Sequence, residues 1–174
     1  MKARHLNLLM LWLILGALLS GCSGGLGAPA TKASAASPTS NSVTQNYVAL
    51  VGLYWSDYRT AEGNAARVCW GDQFNDVTLV NPQVCRYRAV AILAVHQKFL
   101  SDLDRTPPPP KFVADDRALR SQLPKAIADV KAMISAADTG SNQAVMDATT
   151  TYVNDMIPVV TSALDDIDPS VVHI

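Results

Sequence analysis

Histidine and cysteine are scarce in this chain, with three of each among 174 residues. So few soft ligands and bases leave little material for a metal cluster or a histidine relay. No C-x-x-C-H haem attachment, H-E-x-x-H pair, EF-hand loop or glycine-rich phosphate loop occurs. Basic runs are also missing, and the formal net charge is −1. A chain of that kind is a poor ligand for polyanions, so nucleic acid is not an expected partner. Neither a metal nor another cofactor is expected, and no residue is assigned a catalytic role. Aromatic residues make up only 6%, which gives their positions some weight.

The longest apolar stretch is LLMLWLILGALL, Leu8 to Leu19, preceded by Lys2 and Arg4. It falls well short of the roughly 20 residues that span a bilayer, and it has the length of a signal peptide's apolar segment. Leu19-Ser20-Gly21-Cys22 follows. This segment resembles the lipobox of bacterial lipoproteins, a branched apolar residue and two small ones before a cysteine. The resemblance implies a diacylglyceryl group on the Cys22 thiol and cleavage just ahead of it. It covers the first 22 residues only and carries no function over to the rest. Two acyl chains would hold the protein at a membrane stably, each buried methylene contributing about 0.8 kcal/mol. Removal of the leader takes Lys2 and Arg4 away and leaves twelve basic residues against fifteen acidic ones.

Gly21-Cys22-Ser23-Gly24-Gly25 also matches the G-x-S-x-G pattern of hydrolase nucleophile elbows. That motif needs a strand before it and a helix after it. Here it straddles the expected cleavage site, so no nucleophile is assigned.

The chain divides into a leader over 1–21, a lipidated tether over 22–42 and a folded part over 43–174. The tether is mostly Ser, Gly, Ala, Thr and Pro, with one charge, Lys32. Such a composition buries nothing and spans about 25 Å as a flexible coil. From Val43 the apolar residues recur at helical steps: Val43, Tyr47, Leu50, Val51, Tyr54, Tyr58 and Ala61. Ser42 and Gln45 form a capping box ahead of them. Gly63-Asn64 ends this helix, or the helix continues towards Cys69. The pattern then lapses; Val77 to Val80 has strand composition but no partner strand. Asn81-Pro82 reads as an N-cap and first helical residue, with a second helix to about Leu103. Four prolines, 107–110, form an extended connector.

A third helix carries Leu119, Leu123, Ile127, Val130, Ile134 and Ala137, with Pro124 inside it to kink it or split it in two and Gly140 as its stop. Ser141 caps a fourth, carrying Val145, Thr149, Tyr152, Met156, Val160, Ala163 and Ile167, kinked at Pro158. The expected fold is all-α: an antiparallel four-helix bundle with a disulfide-pinned irregular excursion after the first helix. A three-helix core with one loose segment is the rival.

With a lipid implied on Cys22, Cys69 and Cys85 remain, and an oxidising envelope favours pairing them. The chain-entropy model gives about 3 kcal/mol for a loop of roughly 15 residues. A metal pair and a redox pair are the alternatives.

Of the histidines, His5 leaves with the leader and His173 adjoins the C-terminus. His96 lies among apolar residues of the second helix and reads as a core imidazole with a hydrogen-bond partner. Ligation would need a second group on a facing helix, such as Met133, Met146 or Met156, although methionine at helical spacing is ordinarily core filler. Asp115-Asp116 suits the positive end of the third helix. Asp165, Asp166 and Asp168 near a helix C-terminus read as solvated. The aromatic residues Tyr54, Trp55, Tyr58, Trp70, Phe74 and Tyr87 fall in or near the first helix and the excursion. If the disulfide folds the excursion inward, these rings gather at one end, as a binding surface or as a satellite core.

These features point to an extracytoplasmic, membrane-anchored binding or interaction module of a bacterial envelope. Its partner would be an envelope protein or a small ligand. The alternative is a carrier of a small ligand or metal with a pocket between helices.

Overall fold

A computed structural model of the protein describes residues 40–63, 65–71, 76–158 and 163–169. Cys22, Phe74 and His173 lie outside the described residues, as do the leader and residues 22–39. The described residues form helices and turns without a strand. The domain is all-α.

Helix α1, Ser40–Glu62, buries Tyr47, Val51, Tyr54, Tyr58 and Ala61, the alternating three- and four-residue steps of one helical face. It starts ahead of Ser42, which sits in its first turn instead of capping it. The excursion contains a second, short helix, α2, Ala65–Trp70. Gly71 ends it at φ +77°, and a Cβ there would run into the backbone of Asp76. Only glycine fits this turn.

Val77–Leu79 is a single 3-10 turn, not a strand. Asp76 caps it by accepting from the Thr78 amide at 2.9 Å. The Asn81 amide then donates to Val68 O at 2.8 Å, tying the turn back to α2. The Asn81 side chain accepts from the Val84 amide at 3.1 Å, and Pro82 occupies the first turn of α3, Pro82–Arg105. Cys69 and Cys85 form a disulfide across a Cα separation of 5.0 Å. It staples α2 to the first turn of α3, with both sulfurs buried.

The prolines lead into a 3-10 turn, Pro110–Phe112, whose Phe112 ring stacks on Tyr47. Helix α4, Val113–Asp138, runs through Pro124 without splitting. Pro124 falls on the solvent side, where water can take up the freed carbonyl. Gly140 follows at φ +71°. Ser141 Oγ accepts from the Ala144 amide at 3.2 Å and caps α5, Asn142–Pro158. The expected kink at Pro158 falls at the edge of the described residues, because 159–162 lie outside them. Asp165–Ile167 forms a last short helical turn, α6.

Helix α1 packs on α3, α3 on α4 and α4 on α5, while α2 rests on α3 and α5. No helix among the described residues is long and apolar enough to cross a membrane.

Candidate functional site

His96, the one histidine among the described residues, lies where three helices meet. Its position on α3 falls in the buried series Ala89, Ile92, His96, Phe99, so the helix phase alone turns the imidazole inward. The side chain is fully enclosed. Its Nδ1 lies 3.0 Å from the Tyr54 hydroxyl on α1, and its Nε2 lies 2.8 Å from the Tyr152 hydroxyl on α5. Tyr152 is hydrogen-bonded in turn to Tyr58. A neutral imidazole has one donor and one acceptor, so one tyrosine accepts from the ring and the other donates to it.

Burial lowers the His96 pKa to about 4, since an enclosed apolar core disfavours the cation. Burial likewise pushes Tyr58 up to about 12, against an opposing effect of its bond with Tyr152. Tyr54 and Tyr152 are raised by the same cause. Tyr54 also stacks on Phe99 at 3.9 Å between ring centres, and Tyr58 lies 5.6 Å from the imidazole. Four polar rings thus satisfy one another inside the apolar core. A neutral, enclosed imidazole with both nitrogens engaged presents no free base to a substrate.

A second buried network closes the far end of α1. The Tyr47 hydroxyl donates to Asp116 Oδ1 at 2.7 Å, and Arg120 Nε donates to Asp116 Oδ2 at 2.7 Å. Arg120 also reaches Asp104 at 2.7 Å and the carbonyl of Leu103. The guanidinium fork thereby joins α3 to α4 and, through Asp116, to α1. Asp116 therefore serves packing as well as the helix dipole.

A cleft opens beside the His96 network, lined by Tyr58, Glu62, Trp70, Met133, Thr149 and Tyr152 among others. About 20 Å³ of it is open to the centre of a water-sized sphere, which is room for one water or one small head group. A shallower groove between α1 and α3, lined by Leu50, Leu53, Val95 and Phe99, offers about 10 Å³. Among the described residues no group of three His, Cys, Asp or Glu side chains could hold a metal ion.

Five of the six aromatic residues singled out from sequence fall among the described residues. Tyr54 and Tyr58 belong to the core around His96. Trp55 is half-buried against Tyr58, 5.5 Å between ring centres, with the Arg59 guanidinium over its face. Trp70 is half-buried and donates from Nε1 to Thr150 at 3.1 Å. Tyr87 stands apart on the outside of α3, 71% exposed, with Val84 and Val90 also exposed on that helix. Met133 and Met156 are buried core residues. Asp165 and Asp166 belong to α6, and Asp168 ends it with its carboxylate near Gly52 of α1.

Sequence reasoning put Tyr47 and Tyr152 on buried helical faces without seeing their polar partners, and it did not pick out Arg120 or Glu62. One signal was available: every histidine or tyrosine on a buried helical face needs a polar partner on another such face. A further acidic pair was missed, Asp129 on α4 with Asp155 on α5. They are hydrogen-bonded to each other, and Lys125 pairs with Asp155 at 2.7 Å.

Comparison with protein-family models, with curated proteins and with solved structures gives no match.

Proposed function

We propose that this is a lipid-anchored, extracytoplasmic lipoprotein whose domain is a non-catalytic interaction module of a bacterial envelope. The observation that carries the non-catalytic part is the closed state of the His96 network. Its polar atoms are occupied by one another, and the adjoining cleft admits no more than a head group. Whole-ligand pockets run to roughly 300 Å³ and above, so a carrier of a whole small molecule is the weaker reading. What the domain offers instead is surface: Tyr87, Val84 and Val90 outside α3, Leu79 just before it and Leu53 on α1 are all exposed.

The anchor rests on the lipobox-like Leu19-Ser20-Gly21-Cys22 and the apolar run before it. The Cys69–Cys85 disulfide accords with an oxidising compartment. Helices α1, α3, α4 and α5 are read as an antiparallel four-helix bundle, given the tight turn at 139–141 and the proline connector at 106–112.

The test is made on the full-length protein in its native membrane. Cys22→Ala is expected to release the domain from washed membranes; continued tight association would overturn the anchor. Non-denaturing mass spectrometry of the extracted protein, repeated after denaturation, is expected to show the covalent lipid alone. An additional mass lost on denaturation would favour the carrier.

A further inference from the structure

Glu62 is the last residue of α1, where the helix dipole works against a negative side chain. The carboxylate lines the cleft next to Tyr58, Trp70 and Tyr152, and its charge acts on both tyrosines. It forms neither an ion pair nor a hydrogen bond with any described residue. The nearest cation on its own helix, Arg59, turns instead to the face of Trp55, 5.8 Å from the ring centre. The cleft thus combines three aromatic side chains, a carboxylate unpaired among the described residues and a small volume. The buried Met133 and Ile92 line it on the core side, and Ala65 and Ala66 of α2 line it as well.

Aromatic rings and a carboxylate around a small recess are the complement of a compact cation. A π face attracts positive charge, and more strongly when the site is partly dried. An ammonium group is about the size of the water for which the recess has room. A guanidinium is planar and larger, and a divalent ion would need six or more oxygen ligands where the cleft has one carboxylate and hydroxyls already hydrogen-bonded. We propose that this cleft is a binding site for an alkylammonium group, the chemistry of a lysine side chain on a partner protein or of a free primary amine. The inference deepens the reading of the domain as a binding module and rests on it. On this view Glu62 supplies the charge, Tyr58, Trp70 and Tyr152 supply the walls, and the His96 network holds two of those walls still.

Methyl-labelled methionine NMR on the full-length lipoprotein in detergent tests the site directly, because Met133 lines it while Met146 and Met156 do not. The probes are a lysine capped at both backbone ends, n-butylammonium chloride and neutral n-butanol. Both cations are expected to shift the Met133 signal saturably in the millimolar range, and n-butanol is not. Glu62→Gln should weaken the cations about tenfold, with the Met146 and Met156 signals unmoved as proof that the variant is folded. Tighter binding of the capped lysine identifies a partner's side chain; equal binding identifies free amines. An equal response to n-butanol, indifference to Glu62→Gln, or no saturation overturns the site. Any of these leaves the anchor and the interaction surface standing, since those fall on the Cys22→Ala and mass-spectrometry results.

Discussion

The Nε2 atom of His96 on α3 lies 2.8 Å from the hydroxyl of Tyr152 on α5. Helices α3 and α5 each pack mainly against α4 rather than against one another, so this bond joins two elements with little other contact. The opposite ring nitrogen reaches Tyr54 on α1. One imidazole therefore fixes the spacing of three helices. A buried polar junction is favourable only when every member is satisfied, because a partner left bare in the core costs more than its bond contributes.

Replacing His96 with leucine should accordingly destabilise the domain by about 2–4 kcal/mol in denaturant unfolding. Tyr152→Phe alone should cost about 1–2 kcal/mol. The double variant should fall short of the sum by about 1 kcal/mol, since each change already removes the same bond. Additive costs would mean that the 2.8 Å contact carries no coupling.

The same imidazole makes the fold acid-sensitive. Its pKa falls from 6.5 to about 4 on folding because burial disfavours the cation. The folded state thus binds fewer protons than the unfolded chain. The stabilising contribution is complete above about pH 6.5 and is lost as pH falls through about 4, up to about 3 kcal/mol. His96→Gln should flatten the stability profile over that window in urea titrations. An unchanged slope would show that other groups set the acid limit.

Arg120 offers a sharper test of geometry. Its Nε, Nη1 and Nη2 serve Asp116, Asp104 and the Leu103 carbonyl, and Asp116 is only 5% exposed. Arg120→Met strands that carboxylate with Tyr47 alone and should cost about 3 kcal/mol. Arg120→Lys should recover less than half of the loss, because one ammonium cannot serve three acceptors held in a planar fork. Full recovery by lysine in thermal unfolding would reduce the fork to a simple charge.

These networks mark where sequence reasoning reached and where it stopped. The caps were legible because they are local: Asn81 and Ser141 act on amides three residues away. Helix phases were legible for the same reason, and they turned Tyr47, Tyr54 and His96 inward. Phase does not say which inward side chains meet. His96 finds its partners 42 and 56 residues away, a matter of how the helices stack. The short helix α2 was hidden because six residues show less than two turns of periodicity, and its stability comes from Cys85 and α5.

The acidic pair at the α4–α5 seam predicts a gain. Burial, then the hydrogen bond to Asp155, raises the Asp129 pKa, while Lys125 foremost lowers that of Asp155. A raised carboxyl pKa stabilises the fold at low pH, and that contribution is lost as pH rises past the folded value. Asp129→Asn keeps the hydrogen-bonding shape without the charge. It should leave stability unchanged or improved at neutral pH and remove the pair's share of the pH dependence. A clear loss at neutral pH would mean that the charged form of Asp129 is the one the seam needs.

The disulfide has a local prediction as well as a global one. Cys69 and Cys85 are 16 residues apart in sequence, so their removal should cost about 3 kcal/mol on the chain-entropy account. Beyond the bond itself, α2 is held by the Asn81–Val68 backbone bond at 2.8 Å and by the Trp70–Thr150 contact. These tie it to neighbours without a long apolar face of its own. In the Cys69→Ala, Cys85→Ala variant, amide exchange should therefore accelerate most over Ala65–Trp70 and the 3-10 turn, while α4 keeps its protection relative to the global unfolding limit. Uniform acceleration across all helices would show that α2 unfolds only with the whole domain, and that the disulfide acts on the unfolded chain alone.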